Sequence, residues 1–478
     1  MELKACTKHS DPVIRRIIMQ SRRTFLKMGI VGSAFLPAFA DLSAKATEKK
    51  GVSANAREIN VAIVGFGAMG RVIAHGLARC EGIRVKCACD IWKFNMQQAQ
   101  ALFKAYGHKI NGYLDFQEMI DAEAKNIEAV IVATPDWVHC RQACECLRRG
   151  LHVYCTAPMA DTLEKSAEMC RAAKASGKLL QIGHLRRSAR VYKLAFEHVV
   201  PEMLGRLLFA EAESRMSIQP MWAMKKCPRL EILTKNGYDN AEQFLNWRWF
   251  GKYGPGNVLR YLVSQADLFC QAWGGPPHSV TAVGGRDIFR PPRENIDNLS
   301  SIFEFKLPDG ATAHATHHFA VAHRRTRNEF EEFNGARAIL HLSPSSGIPK
   351  MDGPVNYVRR TWNGSQIEYK EKWRTFVEKG WILPSDSDRK YNEIDEIDCH
   401  PTDMPDADIS SLCPLNVKHD EKSYAMLHLE NFFAAVRGEA QLNAPADKIY
   451  ASMVAAFGAL RSAARRETVY FKPSDFTF

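Results

Sequence analysis

From Ile59 onward, apolar residues come in short runs, each followed by a stretch with helical spacing. "INVAIVG" precedes "GRVIAHGLARC", "IRVKCACD" precedes "MQQAQALFKAYG", and "IEAVIVATP" precedes "VHCRQACECLRRG". "LHVYC", "TLEKSAEMCRAAKASG" and "LLQIG" complete the series. Continuous apolar strands alternating with amphipathic helices predict a doubly wound parallel sheet, covered on both faces, over residues 58–185. After Gly183 the rhythm changes. One helix, "ARVYKLAFEHVVPEML", leads into "RLLFAEAESRMS", "SVTAVGGRD", "SSIFEFKLPDGATAHATHHF" and "NEFEEFNGARAILHLS". The Pro308-Asp309-Gly310 turn makes two of these runs a hairpin, so residues 186–478 read as an α+β domain with a mainly antiparallel sheet. Within it, 346–420 is a Pro- and Asp-rich insertion of weak periodicity, and 421–467 holds two closing amphipathic helices. The fold class is α/β, a Rossmann sheet followed by the α+β domain.

The length of 478 residues exceeds one ordinary core and fits two domains plus extras. The net charge of +11 falls to +6 once residues 1–40 are set aside, and what remains is scattered rather than striped with aromatics. That argues for a solvated surface and against nucleic acid as a partner. Ser21-Arg22-Arg23-Thr24-Phe25-Leu26-Lys27 runs into the weakly apolar Met28–Ala40, ending on Ala38-Phe39-Ala40. Residues 1–40 therefore read as a twin-arginine signal peptide with a small-residue cleavage site, and 41–57 as a polar linker. The apolar run is too short for a stable membrane anchor. The expected partner is the twin-arginine export machinery and the expected location the periplasm. None of the thirteen cysteines shows paired CxxC spacing, so they read as small core residues, with no metal site expected. In "HATHHFA", strand alternation puts His314 and His318 on one face and His317 on the other, which disfavours a shared metal.

The candidate cofactor loop is Gly65-Phe66-Gly67-Ala68-Met69-Gly70, directly after a strand and opening a helix. The first Gly permits the tight turn, the second lets backbone approach a pyrophosphate, and the third lets helix pack on strand. Asp90, at the end of the next strand, is placed to accept from both ribose hydroxyls, which favours NAD. Lys93 nearby keeps NADP as the alternative. Thr134, Pro135 and His139 lie at the carboxyl edge of a later strand, where ligands bind in such sheets.

Together, "VAIVGFGAMG", "VIVATPDWVH", "GLHVYCTAPMA", "QIGHLRRS", "LNWRWFGKYG", "HLENFFAAVRG" and "RRETVYFKPSDF" resemble landmarks of the glucose-fructose oxidoreductase / inositol 2-dehydrogenase (Gfo/Idh/MocA) family. The resemblance implies an open second sheet serving substrate binding and homo-oligomerisation, a tightly bound nicotinamide cofactor, and a sugar or polyol substrate. It carries cofactor contacts onto Thr156, Ala157, Pro158 and Gln181, and substrate contacts onto Trp247 and Arg248. Family members that oxidise a carbinol usually carry Glu-Lys-Pro where this chain has Thr156-Ala157-Pro158. Their acidic residue, His and Asp on a later helix correspond here to Arg260, Ser264 and Asp267. With the lysine, the acid and the histidine replaced, the local candidates for proton transfer are His184, Asp267 and Tyr253, with Arg186, Arg260 and Ser264 as substrate contacts. Three functions follow: an oxidoreductase, a glycosidase or lyase that oxidises its substrate transiently, and a non-catalytic binding protein.

Overall fold

The computed structural model describes residues 57–217, 221–223, 227–321, 329–343, 357–360, 374–383, 412–415, 417 and 422–478. The signal and linker expectations, and most of the 346–420 insertion, lie outside the described residues. Those that are described fall in one compact unit.

The first sheet has six parallel strands: β1 (Ile59–Val64), β2 (Ile83–Cys89), β3 (Asn111–Tyr113), β4 (Ala129–Val132), β5 (His152–Cys155) and β6 (Leu180–Ile182). Their order is β3-β2-β1-β4-β5-β6, so the chain reverses direction across the sheet between β1 and β4. A crevice opens at that reversal, outside the carboxyl ends of the strands. Five helices follow the strands: α1 (Ala68–Leu77), α2 (Lys93–Ala105), α3 (Phe116–Glu123), α4 (Asp136–Arg148) and α5 (Leu163–Ser176). Strand β1 shows how both faces are covered. Ile59, Val61 and Ile63 enter one apolar core with α1 and α2, while Ala62 and Val64 enter another that continues into the second half of the molecule.

The second sheet has nine strands: β7 (Leu207–Met216), β8 (Ser279–Gly285), β9 (Asn298–Lys306), β10 (Thr312–Val321), β11 (Glu329–Gly335), β12 (Ala338–Leu342), β13 (Tyr357–Arg360), β14 (Leu412–Pro414) and β15 (Val469–Tyr470). Their order is β14-β13-β12-β11-β7-β10-β9-β8-β15. The expected hairpin joins β9 to β10, with Gly310 at φ +83° in its turn. The sheet is antiparallel except at β7, which runs parallel to β10 and antiparallel to β11. Helix α6 (Asn257–Trp273) lies over the sheet's inner face, next to α8 (Ala446–Arg465). Helix α7 (Tyr424–Val436) returns to cover the Rossmann half, where Leu429, Phe432 and Phe433 join the β1 core. Among the described residues no helix is long and apolar enough to cross a membrane.

Candidate functional site

The glycine loop between β1 and α1 has the shape a dinucleotide requires. Gly65 sits at φ +90°, and a side chain there would meet the Ala133 carbonyl oxygen at 2.6 Å. A methyl group on Gly70 would lie 2.1 Å from the Gly65 carbonyl oxygen, so helix and loop pack this closely only without it. Gly67 differs, because a side chain there would meet nothing within 4 Å. That open backbone at a helix N-terminus is the surface a pyrophosphate approaches. The residues therefore fit the dinucleotide. The role expected of Asp90 is narrower than the sequence implied. Its Oδ2 accepts from the Phe66 N–H at 2.7 Å and the Asn95 amide at 3.2 Å, and its Oδ1 from the Trp92 N–H at 2.8 Å. Three of roughly four acceptor directions are taken, so it cannot receive both ribose hydroxyls without releasing a partner. Burial pushes its carboxyl above the ordinary range, against these donors and the nearby Arg71.

Two turns border the crevice, Thr134–Pro135 after β4 and Thr156–Pro158 after β5. His139, expected as a cofactor contact, instead ties them together. Its Nε2 lies 2.8 Å from the Thr134 carbonyl and its Nδ1 3.1 Å from the Pro158 carbonyl, with the residue fully buried. Both ring nitrogens are committed to backbone, and helix-start position alone could not distinguish this from a ligand contact. The Thr134 hydroxyl donates to Gln142. Ala157 is half-buried against the core, and its bond to Pro158 is cis. Gln181, also expected at the cofactor, is fully buried and donates to the His428 carbonyl.

Beyond β6, His184 and Asp267 meet although 83 positions separate them in the chain. His184 Nδ1 lies 3.2 Å from Asp267 Oδ2, and both side chains are 3% exposed. Asp267 also accepts from Arg187 at 2.7 and 2.9 Å, from Ser452 at 3.1 Å and from Gln271 at 3.2 Å. Burial alone would raise this carboxyl, but the Arg187 guanidinium and the His184 ring outweigh it and hold it below the ordinary carboxylate range. An ionised Asp267 accepts from His184 Nδ1–H and so fixes the orientation of the ring. His184 Nε2 is buried and has no hydrogen-bond partner. The turn that presents it is backed by His428, which lies 2.5 Å from the Ser188 hydroxyl and 3.0 Å from the Ile182 carbonyl.

A second buried network lies on the sheet's inner face. Arg186 pairs with Glu331 at 2.7 Å and Glu329 at 2.5 Å. Glu331 also accepts from the Tyr192 hydroxyl at 2.8 Å and from Gln265 at 2.9 Å. Ser214 bridges Gln265 to His317, whose neutral form burial favours, depressing it to about 3. Gln265 Oε1 and His317 Nδ1 are buried without partners. Arg186, expected to hold substrate, is thus neutralised by two carboxylates, although it remains 15% exposed.

The other expected residues are engaged in contacts of their own. The Tyr253 hydroxyl donates to Gln243 at 2.6 Å, and its ring packs between Trp137 and Tyr238, so its proton-handling group is already engaged. Arg248 forms a two-pronged pair with Asp136 at 2.8 and 3.1 Å and stacks on Trp247 at 4.1 Å. It clamps α4 to the second half of the molecule rather than waiting for substrate. On α6, Ser264 returns its hydroxyl to the Arg260 carbonyl at 2.9 Å, and Arg260 lies over the Tyr261 ring. Arg187, Glu331 and Gln265 were not anticipated. Of these only Glu331 left a signal, a carboxylate at an inward-facing position of the alternating "NEFEEF" strand.

A family model described as "Oxidoreductase family, NAD-binding Rossmann fold" (GFO_IDH_MocA) matches residues 59–184. This part of the chain matches the Gfo/Idh/MocA family. A 2,7-anhydro-N-acetylneuraminate hydratase from Escherichia coli (strain K12) is 21% identical over 53% of this chain and 60% of its own. A glycosyl hydrolase family 109 protein from Shewanella amazonensis (strain ATCC BAA-1098 / SB2B) is 24% identical over 44% of this chain and 46% of its own. The chain thus spans about half the length of the curated relatives it matches. Among solved structures, the WlbA dehydrogenase from Bordetella pertussis in complex with NADH and UDP-GlcNAcA matches 87% of this chain and 99% of its own. The TM-score is 0.59 at 17% identity, a likeness of fold that covers both halves of the molecule.

Proposed function

We propose that this protein is an NAD-dependent oxidoreductase acting on a carbinol of a sugar, polyol or glycoside, with His184 as the base in place of the missing lysine. The carrying observation is the buried, partnerless Nε2 of a histidine whose Nδ1 is held by an ionised carboxylate. When bound, the nicotinamide supplies the hydride acceptor. His184 Nε2 takes the hydroxyl proton, and Asp267 fixes the ring and stabilises the imidazolium that forms. Arg187, Ser452 and Gln271 keep Asp267 ionised and in place. Support for a carbohydrate comes from the named relatives. The Ser21–Lys27 motif supports work in the periplasm after twin-arginine export, which would deliver the protein folded and carrying its cofactor. NAD is favoured over NADP by Asp90, whose carboxylate would repel a 2′-phosphate.

The test is to release and identify the nucleotide from natively purified protein, then titrate that protein with a sugar panel while following reduced-nicotinamide absorbance. A rise in absorbance with one sugar class is expected; bound nucleotide with no change across the panel counts against oxidation.

A second reading has one observation in its favour, the hydratase and glycosyl hydrolase names of two relatives. In it the same base serves a transient oxidation followed by elimination and re-reduction. Product would then form only with NAD bound and with no net gain in reduced nicotinamide.

A further inference from the structure

Helices α4 and α5 carry a cluster that the hydride-transfer site does not use. Among the described residues, Cys140, Cys144 and Glu168 bring one ligand atom each within 4.8 Å of one another. Cys140 and Cys144 are four positions apart on α4, so their side chains stack on one helix face. Their sulfurs are 3.9 Å apart, and both residues are at least nine-tenths buried. Glu168 comes from α5 and is exposed, which leaves the cluster open to solvent on one side.

The spacing suits a thiophilic divalent cation. Two thiolates on one tetrahedral zinc, with Zn–S bonds near 2.3 Å, stand about 3.8 Å apart, so the sulfurs need almost no movement. A carboxylate oxygen supplies a third ligand and water a fourth, an arrangement zinc accepts. Both thiol protons leave to solvent on binding, and no redox step is involved.

We propose that Cys140, Cys144 and Glu168 form a zinc(II) site that stitches α4 to α5. Its position gives it a structural consequence. Helix α4 begins at Asp136, directly after Thr134–Pro135, and α5 begins at Leu163, a few residues after Thr156–Pro158. The metal therefore fixes the spacing of the two helices that carry the crevice turns, and His139 fixes the turns themselves. The sequence alone hid this, because one ligand pair has i, i+4 spacing rather than CxxC and the third ligand lies on another helix.

The test uses the full-length protein, reduced and stripped of metal, titrated with cobalt(II) and then zinc(II). One equivalent of cobalt should give a thiolate-to-cobalt charge-transfer band, zinc should displace it, and zinc should raise the melting temperature. Cys140→Ser and Cys144→Ser should abolish the band, and Glu168→Gln should weaken cobalt binding by about tenfold or more. Cys170→Ala, on the same helix pair but outside the cluster, should leave the band intact. Circular dichroism of each variant checks that it is folded, and Cys144→Ala provides a second variant if the serine form is not. Absence of the band in folded wild type, or its persistence in the folded Cys140 and Cys144 variants, overturns the proposal.

Discussion

The glycine loop and the His184–Asp267 pair are built in opposite ways. The loop is local: six consecutive residues set its backbone, and each glycine does its work through a side chain it lacks. The pair is assembled from distant segments, with His184 from the end of β6, Asp267 from α6, Arg187 from the turn after β6 and Ser452 from α8. Backbone sites of the first kind tolerate variation around them, whereas a tertiary site of the second kind depends on every partner that holds it. The loop shows the expected pattern, whereas Ala157, Arg260 and Ser264 stand where the family resemblance implies a lysine, an acidic residue and a histidine.

The difference can be broken at several points, the largest effect first. Asp267→Asn retains the shape of the pair but removes the charge that holds the His184 tautomer. Turnover on a responsive sugar should fall by on the order of 10²- to 10⁴-fold, with nucleotide binding little changed, as read by steady-state kinetics and nucleotide titration. Glu331→Ala should instead act on stability. It strands the Arg186 guanidinium beside a single carboxylate, leaves the Tyr192 hydroxyl without its acceptor and Gln265 with only the Ser214 hydroxyl at 3.5 Å, so chemical denaturation should register a loss of about 3–5 kcal/mol. The exposed His318, on the opposite face of the same sheet, should cost under about 0.5 kcal/mol when changed to Ala.

Acid should reveal the buried histidines of the tertiary regions. Burial depresses His317 to about 3 and His428 to about 4, from an ordinary 6.5. Between those values and 6.5 the unfolded chain binds more protons than the native one, so stability falls as pH drops through this window. Each histidine should contribute a loss of about 2 kcal/mol at pH 5 relative to neutral pH, by integration over the depressed range. Melting curves at pH 7 and 5 for wild type, His317→Gln and His428→Gln check this; the variants should show a shallower pH dependence. The smallest effect on stability belongs to the loop. Gly67→Ala projects a methyl group into open space, so the melting temperature should barely move while the affinity for NAD, measured by calorimetry, declines.

The same contrast explains what the sequence disclosed. Five of the six parallel strands and the β9–β10 hairpin were legible, because apolar runs, helical spacing and a Pro-Asp-Gly turn are local signals; β3 was not, because Asn111-Gly112-Tyr113 is a three-residue strand with no apolar run. The parallel pairing of β7 with β10 was not, since strand register depends on contacts that alternation does not encode. His139, Gln181, Tyr253 and Arg248 were credited with ligand contacts because motif position cannot show that their polar atoms are already bound within the protein. His184 and Asp267 were each singled out from their segments, but only the fold puts them 3.2 Å apart. Arg187 and Gln265 lay beyond reach, being ordinary polar residues until their partners are known.

The most direct measurement is the single-turnover rate of nicotinamide reduction by wild type and His184→Ala, both loaded with NAD and mixed with the same responsive sugar. The variant should bind nucleotide and sugar normally but reduce the nicotinamide on the order of 10²- to 10⁴-fold more slowly. An unchanged rate in the His184→Ala protein would contradict the role of His184 as the base.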